Sequence, residues 1–247
     1  MTVFSFNRKP VRNLAPWVLL SLASLMAQAA PKAPNPTISR AEGSLAILMS
    51  GNARFVSGRA SHPDQSEERR TEVARKQEPF AIVLTCADSR LSPEIFFDQG
   101  LGDLFVIRNA GNVIDGHVLG SMEYAVDHLH VPLIIVLGHE RCGAVSAAVA
   151  GGHAPGHISE IVESIAPAVT ATRDQEGDAV DNAVIANAQM TAALVKRSDP
   201  ILAAAVKAGE LKVVAGRYDL DSGRVTILPD LPQSDTVPAA PAPAHSH

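Results

Sequence analysis

Apolar residues along this chain follow two rhythms. Between residues 39 and 58, Ala41, Leu45, Ile47, Leu48 and Phe55 recur near the 3.6-residue period, which predicts a helix ending at Gly58. Residues 61–78 are polar and charged. They predict an exposed loop and helix, with Ser66-Glu67-Glu68-Arg69-Arg70 as the solvated helix start. Beyond residue 79 the pattern changes to short apolar runs bounded by turn residues, which predict strands at 80–85, 104–107, 131–137 and 211–216. A weaker fifth strand, Arg224 to Leu228, follows the turn Asp221-Ser222-Gly223 and is expected to pair antiparallel. Helices are predicted at about 117–129, 141–150, 157–172 and 179–197.

Strands that are almost continuously apolar and alternate with helices imply a parallel sheet buried on both faces. The expected fold is a single α/β domain with a central, mainly parallel four-stranded sheet. A fifth antiparallel strand, helices on both faces and an amino-terminal helical arm complete it. With 46% apolar residues but only 4% aromatic, the core must rest on Ala, Val, Ile and Leu. In such sheets ligands bind beyond the carboxyl ends of the strands, where strand order reverses.

The two ends of the chain read differently. Arg8, Lys9 and Arg12 precede an apolar run from Leu14 to Met26, and Ala27-Gln28-Ala29 offers a small-x-small cleavage pattern. Residues 1–29 therefore read as a secretory signal peptide, the apolar run being short of the ~20 residues a spanning helix needs and interrupted by Pro16. No paired arginines precede it, so general secretion to a periplasm is expected. Removing the leader's three basic residues from 21 leaves 18 against 26 acidic, a net charge of −8, and no tryptophan. Such a protein is a poor candidate for binding nucleic acid or, once processed, an anionic membrane. The remaining divisions are a Pro-rich lead-in at 30–38, the domain at 39–228 and a Pro/Ala-rich tail at 229–247, expected to be disordered. The tail ends in His245 and His247, which could scavenge metal or do nothing. Gly100-Leu101-Gly102 and Gly151-Gly152 lack the spacing of a phosphate loop.

The only cysteines are Cys86 and Cys142, and in an exported protein the default reading is one disulfide. Their surroundings argue otherwise. Cys86 stands at the carboxyl end of the first predicted strand, in Cys86-Ala87-Asp88-Ser89-Arg90. His139 and Cys142 stand just past the end of the third, in Gly138-His139-Glu140-Arg141-Cys142-Gly143. If those strands are neighbours, two thiolates and an imidazole converge, a set suited to Zn²⁺ with a fourth position open. The nearest carboxylate is Asp88, and Arg90 can pair with it if the segment stays extended.

Together the two motifs resemble those of the beta-class carbonic anhydrases. The resemblance extends to Gly51-Asn52-Ala53-Arg54-Phe55-Val56, to Arg108-Asn109-Ala110-Gly111-Asn112 and to Gly120-Ser121-Met122-Glu123-Tyr124-Ala125-Val126, and covers about residues 40–220. It implies that Cys86, His139 and Cys142, with Asp88 in a closed form, ligate zinc. In an open form Arg90 holds Asp88 away from the metal. It implies reversible hydration of carbon dioxide to bicarbonate and a proton by zinc-bound hydroxide. Gln77 matches a glutamine of the family's plant-type branch, and Phe105, Ala110 and Tyr124 fall at the other pocket positions. Glu78 replaces a usual Asp and Ala110 a larger Val, which leaves the pocket size open. Phe105 and Tyr124 also read as plain core aromatics.

The resemblance further implies a homodimer or larger assembly, its pocket at the dimer interface and the helix at 40–57 lying across the neighbour. His128, four residues after Tyr124, is a candidate proton shuttle and His117 a second, whereas His153 and His157 read as solvated. The competing readings are a hydrolase of carbonyl sulfide or carbon disulfide on the same scaffold, a catalytically silent zinc-binding module, and a metal-free disulfide protein.

Overall fold

The computed structural model describes residues 36–231 of the 247-residue chain. The predicted leader, residues 30–35 of the lead-in, and residues 232–247 with both terminal histidines lie outside them. Four strands run parallel: β1 (Ala81–Cys86), β2 (Leu104–Asn109), β3 (Leu133–His139) and β4 (Lys212–Tyr218). A fifth, β5 (Val225–Ile227), lies antiparallel to β4, and the order is β2-β1-β3-β4-β5. Both β3 and β4 extend two residues past their predicted ends. The backbone ladder continues through Gly138↔Arg217 and His139↔Tyr218, where the side chains are no longer aliphatic.

Eight helices accompany the sheet among the described residues: α1 (Pro36–Val56), α2 (Glu67–Val73), α3 (Pro93–Phe96), α4 (Gly116–Leu129), α5 (Gly143–Ala150), α6 (Ile158–Thr172), α7 (Ala179–Lys196) and α8 (Ile201–Ala208). The sequence pattern does not anticipate α3 or α8, since one or two turns are too short to establish a period. No helix among the described residues is long and apolar enough to cross a membrane.

Alternation along the strands sorts the core into two layers. Ile82, Leu84, Ile134, Val136, Val213 and Ala215 face α4, α7 and α8. Val83, Leu133, Ile135, Leu137 and Val214 face the other way, onto Leu48 of α1 and Phe96 of α3. Fully burying each large aliphatic chain contributes about 1.5–3 kcal/mol, which makes the central strands the most stable part of the fold.

From residue 41 onward α1 docks on its own domain, with Ala41 and Leu48 buried. Near its end, Asn52 donates to Phe96 O and Gly223 O and accepts from Val225 N–H, so one buried amide ties α1 to α3 and to the β4–β5 turn. At Gly51 a Cβ would stand 1.7 Å from Phe97 O, so only glycine allows this approach.

From β1 the chain moves to β2 on one side, then returns to β3 on the other. Strand order reverses between β1 and β3, and the carboxyl ends of that pair hold Cys86 and His139.

Candidate metal centre

Each half of the site follows from how its strand ends. Cys86 is the last residue of β1, and His139 is the last of β3 rather than one beyond it. After a turn at Glu140 and Arg141, Cys142 caps the amino end of α5, where the Ala144 and Val145 N–H groups favour a thiolate. The ligand atoms of Cys86, His139 and Cys142 lie within 4.8 Å of one another, and all three residues are buried.

Both cysteines are free, with Sγ atoms 4.0 Å apart, about twice a disulfide bond length. Two thiolates each ~2.3 Å from one tetrahedral zinc would stand about 3.8 Å apart. The remaining donor is settled by a hydrogen bond. His139 Nδ1 lies 2.8 Å from the Glu140 carbonyl, which can only accept, so Nδ1 carries the proton. Nε2 is then an unprotonated acceptor, and it is buried without a hydrogen-bond partner. An orphaned buried acceptor is costly, and a metal ion beside two thiolates removes the cost.

The thiols support the same reading. Cys86 is pushed down by its hydrogen bond with Cys142, against the effect of burial, and further by the Gly111 N–H. Cys142 is pushed up by sharing that bond with Cys86 and by burial. One thiol ionises readily and its charge opposes the second, so a full pair of thiolates calls for a cation between them. The residues present fit zinc.

Asp88 and Arg90 sit on the rim. Arg90 grips both carboxylate oxygens, Nε to Oδ1 at 2.9 Å and Nη2 to Oδ2 at 2.7 Å, and its N–H donates to Oδ1 at 3.0 Å. This fork, chiefly, holds the Asp88 carboxyl well below the ordinary carboxylate range. Asp88 Oδ2 stands 3.9 Å from His139 Nε2, within reach of a ligand shared by the three donors.

The segment 108–112 forms the floor. Arg108 donates to Cys86 O and Asp88 O, bracing the end of β1. Ala110 opens a short 3-10 turn in which Gly111 adopts φ 75° and donates to Cys86 Sγ at 3.3 Å. A Cβ at Gly111 would come within 2.7 Å of Ile165 Cδ1, and buried Asn187 of α7 secures the Gly111 carbonyl. The family-like motif named these residues but gave Arg108, Gly111 and Glu140 no role. Arg108 acts through its guanidinium on main-chain carbonyls, and Gly111 and Glu140 act through their own backbone atoms, so no local sequence pattern discloses these partners.

The other expected pocket residues lie elsewhere in the chain. Phe105 pairs with Ile82, four residues before Cys86 and so about 13 Å back along the strand. Its side chain is partly buried against the α4 layer. Gln77 precedes β1 altogether. With Tyr124 and His128 it lines an exposed groove at the amino end of the sheet, alongside Lys76, Leu129 and His130. Tyr124 meets His128 edge-on at 5.0 Å between ring centres. Of the expected pocket, then, a single chain brings only Ala110 beside the cysteines. His117 is exposed on the first turn of α4, and His153 is exposed in the loop before α6. His157, also exposed, pairs with Glu160 at 3.0 Å.

Comparison with known proteins bears directly on this geometry. The family profile described as "Carbonic anhydrase" matches residues 81–225. "Carbonic anhydrase 2" of Mycobacterium tuberculosis is 46% identical over 184 residues, spanning 73% of this chain and 89% of the relative. Among solved structures, a Coccomyxa beta-carbonic anhydrase in complex with acetazolamide superposes with TM-score 0.59 at 27% identity, over 78% of this chain and 85% of that one. One of two tetrameric beta-carbonic anhydrases from Sordaria macrospora gives TM-score 0.62 over 75% and 97%. At 23% identity that likeness shows the shared fold.

Proposed function

This chain belongs to the beta-class carbonic anhydrase family, and on that premise we propose that it catalyses the reversible hydration of carbon dioxide to bicarbonate, with zinc held by Cys86, His139 and Cys142. The observation that carries this reading is the unpartnered Nε2 of His139 beside two free thiols. When bound, zinc supplies a Lewis acid that makes a water molecule nucleophilic near neutral pH. The protein supplies the rest. The Glu140 carbonyl keeps the His139 proton on Nδ1. Asp88, ionised and fixed by Arg90, accepts a hydrogen bond from the reacting water and aims its lone pair at carbon dioxide. Two thiolates place more negative charge beside that water than imidazoles would, so the water is less acidified and hydration should rise from pH 6 to pH 9. A carbonic anhydrase relative at 46% identity favours carbon dioxide over carbonyl sulfide or carbon disulfide. The intact Asp88–Arg90 pair disfavours a silent site.

The working unit in this reading is a homo-oligomer, at least a dimer. Gln77, Phe105 and Tyr124 line the carbon dioxide pocket only if a second copy brings the amino end of its sheet, where the groove holds Gln77 and Tyr124, to the first copy's metal centre. The Asp88–Arg90 pairing and Gln77 support the open, plant-type arrangement, with Ala110 leaving extra room. His128 shares the groove with Gln77 and is the proton shuttle in this scheme. Residues 1–29 direct export to a periplasm and are cleaved near Ala29. Intact-mass measurement of the periplasmic protein checks this, as does the loss of all tryptophan fluorescence with Trp17.

The test is stopped-flow hydration with zinc analysis of the purified protein beside Cys142→Ser. One zinc per chain with fast hydration is expected, and loss of both in the variant. Fast hydration by a protein free of zinc, or by the variant, would sink the reading.

A further inference from the structure

The end of β4 reaches into the metal loop. The Arg217 side chain is 18% exposed and meets three carboxylates. Nη2 donates to Glu140 Oε1 at 2.6 Å, Nε donates to Asp181 Oδ1 at 2.7 Å, and Nη1 lies 3.6 Å from Asp219 Oδ2. The second Glu140 oxygen accepts the Leu220 N–H at 3.0 Å, and the Glu140 N–H donates to Tyr218 O at 3.1 Å. Residue 140 is thus fixed through its backbone donor and both carboxylate oxygens. Its carbonyl remains, and that carbonyl takes the Nδ1–H of His139.

We infer that Arg217 is a positioning residue for the metal ligand His139, acting through Glu140. This rests on the zinc reading above. A metal-binding imidazole needs one nitrogen tied and protonated so that the other points its lone pair at the ion. A peptide carbonyl does this only while its plane cannot rotate. The sheet register ends at His139↔Tyr218, so the next peptide has no ladder to hold it, and the Glu140 side chain takes over that task. The fork of an arginine spans Glu140 and, in the first turn of α7, Asp181, which a single ammonium cannot do. Sheet, helix and metal loop are joined at one guanidinium.

The zinc-loaded protein and the variants Arg217→Met, Arg217→Lys and Glu140→Gln test this. Asp221→Asn serves as control, because it cuts the two-bond Arg141–Asp221 pair between the same loop and hairpin. Zinc release to a chelator, the visible bands of the cobalt-substituted protein, and kcat and KM are read separately. Arg217→Met and Glu140→Gln are expected to release zinc about 10–100-fold faster. Their cobalt bands should shift, and kcat should fall more than KM changes. The double variant should be no worse than either single one, as one coupled unit requires. Arg217→Lys should recover part of the loss, and Asp221→Asn should release zinc at the wild-type rate.

Wild-type release and unshifted bands in folded Arg217→Met and Glu140→Gln would overturn the inference. So would equally fast release from Asp221→Asn, which would assign the effect to hairpin docking. If Arg217→Met does not fold, the near-isosteric Glu140→Gln carries the comparison. A wild-type protein that binds no zinc would overturn the zinc reading and this inference with it. Tight zinc in the wild type beside unaffected variants overturns the inference alone.

Discussion

The two ends of the sheet differ in how completely one chain builds them. At the carboxyl end, Cys86, His139 and Cys142 are buried, and backbone groups of the same chain fix Cys86 and His139. At the amino end, Gln77, Tyr124 and His128 line an exposed groove. There Tyr124, an aromatic, is 47% exposed. A metal site needs donors fixed to a few tenths of an ångström, and neighbouring strand ends supply that within one domain. A pocket for a small apolar substrate needs walls, and walls can come from a second copy. The comparison predicts that metal binding survives damage to the amino end, whereas turnover depends on both.

The largest effect expected at a residue that holds no metal in the open site is at Asp88. Asp88→Asn removes the acceptor for the reacting water's proton and leaves the three buried donors untouched. Zinc content should stay at one per chain while kcat falls about 10²–10⁴-fold, the span for a positioned acid–base group. If zinc is lost as well, Asp88 belongs to the metal shell in solution, and the division between rim and centre fails.

Asp98, in the crossover from β1 to β2 and beside the last turn of α1, belongs neither to the metal centre nor to the groove. Its carboxylate is fully enclosed and takes Ser61 and His62 N–H groups, the Ser61 hydroxyl and the Arg54 Nε. Burial works against the charge, yet these donors hold it well below the ordinary carboxylate range. A depressed folded value stabilises the protein above the unfolded value, about pH 4, and that contribution is lost as pH falls further. Asp98→Asn should cost about 3 kcal/mol at pH 7 and flatten the acid limb of the stability curve, with zinc affinity unchanged. Denaturant melts from pH 7 down to pH 3 measure both. Zinc loss in the folded variant would mean that this buried carboxylate and the metal centre are coupled.

These expectations also mark what the sequence could disclose. The metal donors were legible because zinc chemistry restricts residue type and the apolar runs located the strand ends. Cys86 and His139 needed only the adjacency of β1 and β3 to meet. The sheet was legible for the same reason, apart from the two residues by which the ladders of β2, β3 and β4 outlast their aliphatic patterns. Short α3 and α8 left no period to read. The Arg217–Glu140 pair joins residues 77 apart through the register of β3 with β4, which no local pattern encodes. Gln77, Phe105 and Tyr124 were named by resemblance alone. Along one chain their separation from Cys86 follows from the register, whereas a neighbour's contribution leaves no trace in a single sequence.

Gln77 gives a smaller effect that sharpens the comparison. If its amide hydrogen-bonds substrate or product across the interface, Gln77→Ala should lower kcat/KM about tenfold, the equivalent of one hydrogen bond of about 1.4 kcal/mol. Zinc content and dimerisation, followed by sedimentation, should not change. Full activity in a clean monomer would remove the need for the groove at all.

The smallest effect is expected at His128, and buffer controls its size. The side chain is 62% exposed, touches Tyr124 edge-on, and has Nδ1 3.2 Å from Asp127 Oδ2. An imidazole in that position can take a proton from the pocket and pass it to solvent, but soluble buffer molecules compete for the same task. His128→Ala should therefore lower kcat only a few-fold, and only in dilute buffer, while kcat/KM, which reports the hydration step, stays at the wild-type value. Added imidazole should restore kcat. A deficit that persists at high imidazole, or that appears in kcat/KM, would make His128 a wall of the pocket rather than an exit for the proton. The amino-end groove would then act on substrate alone.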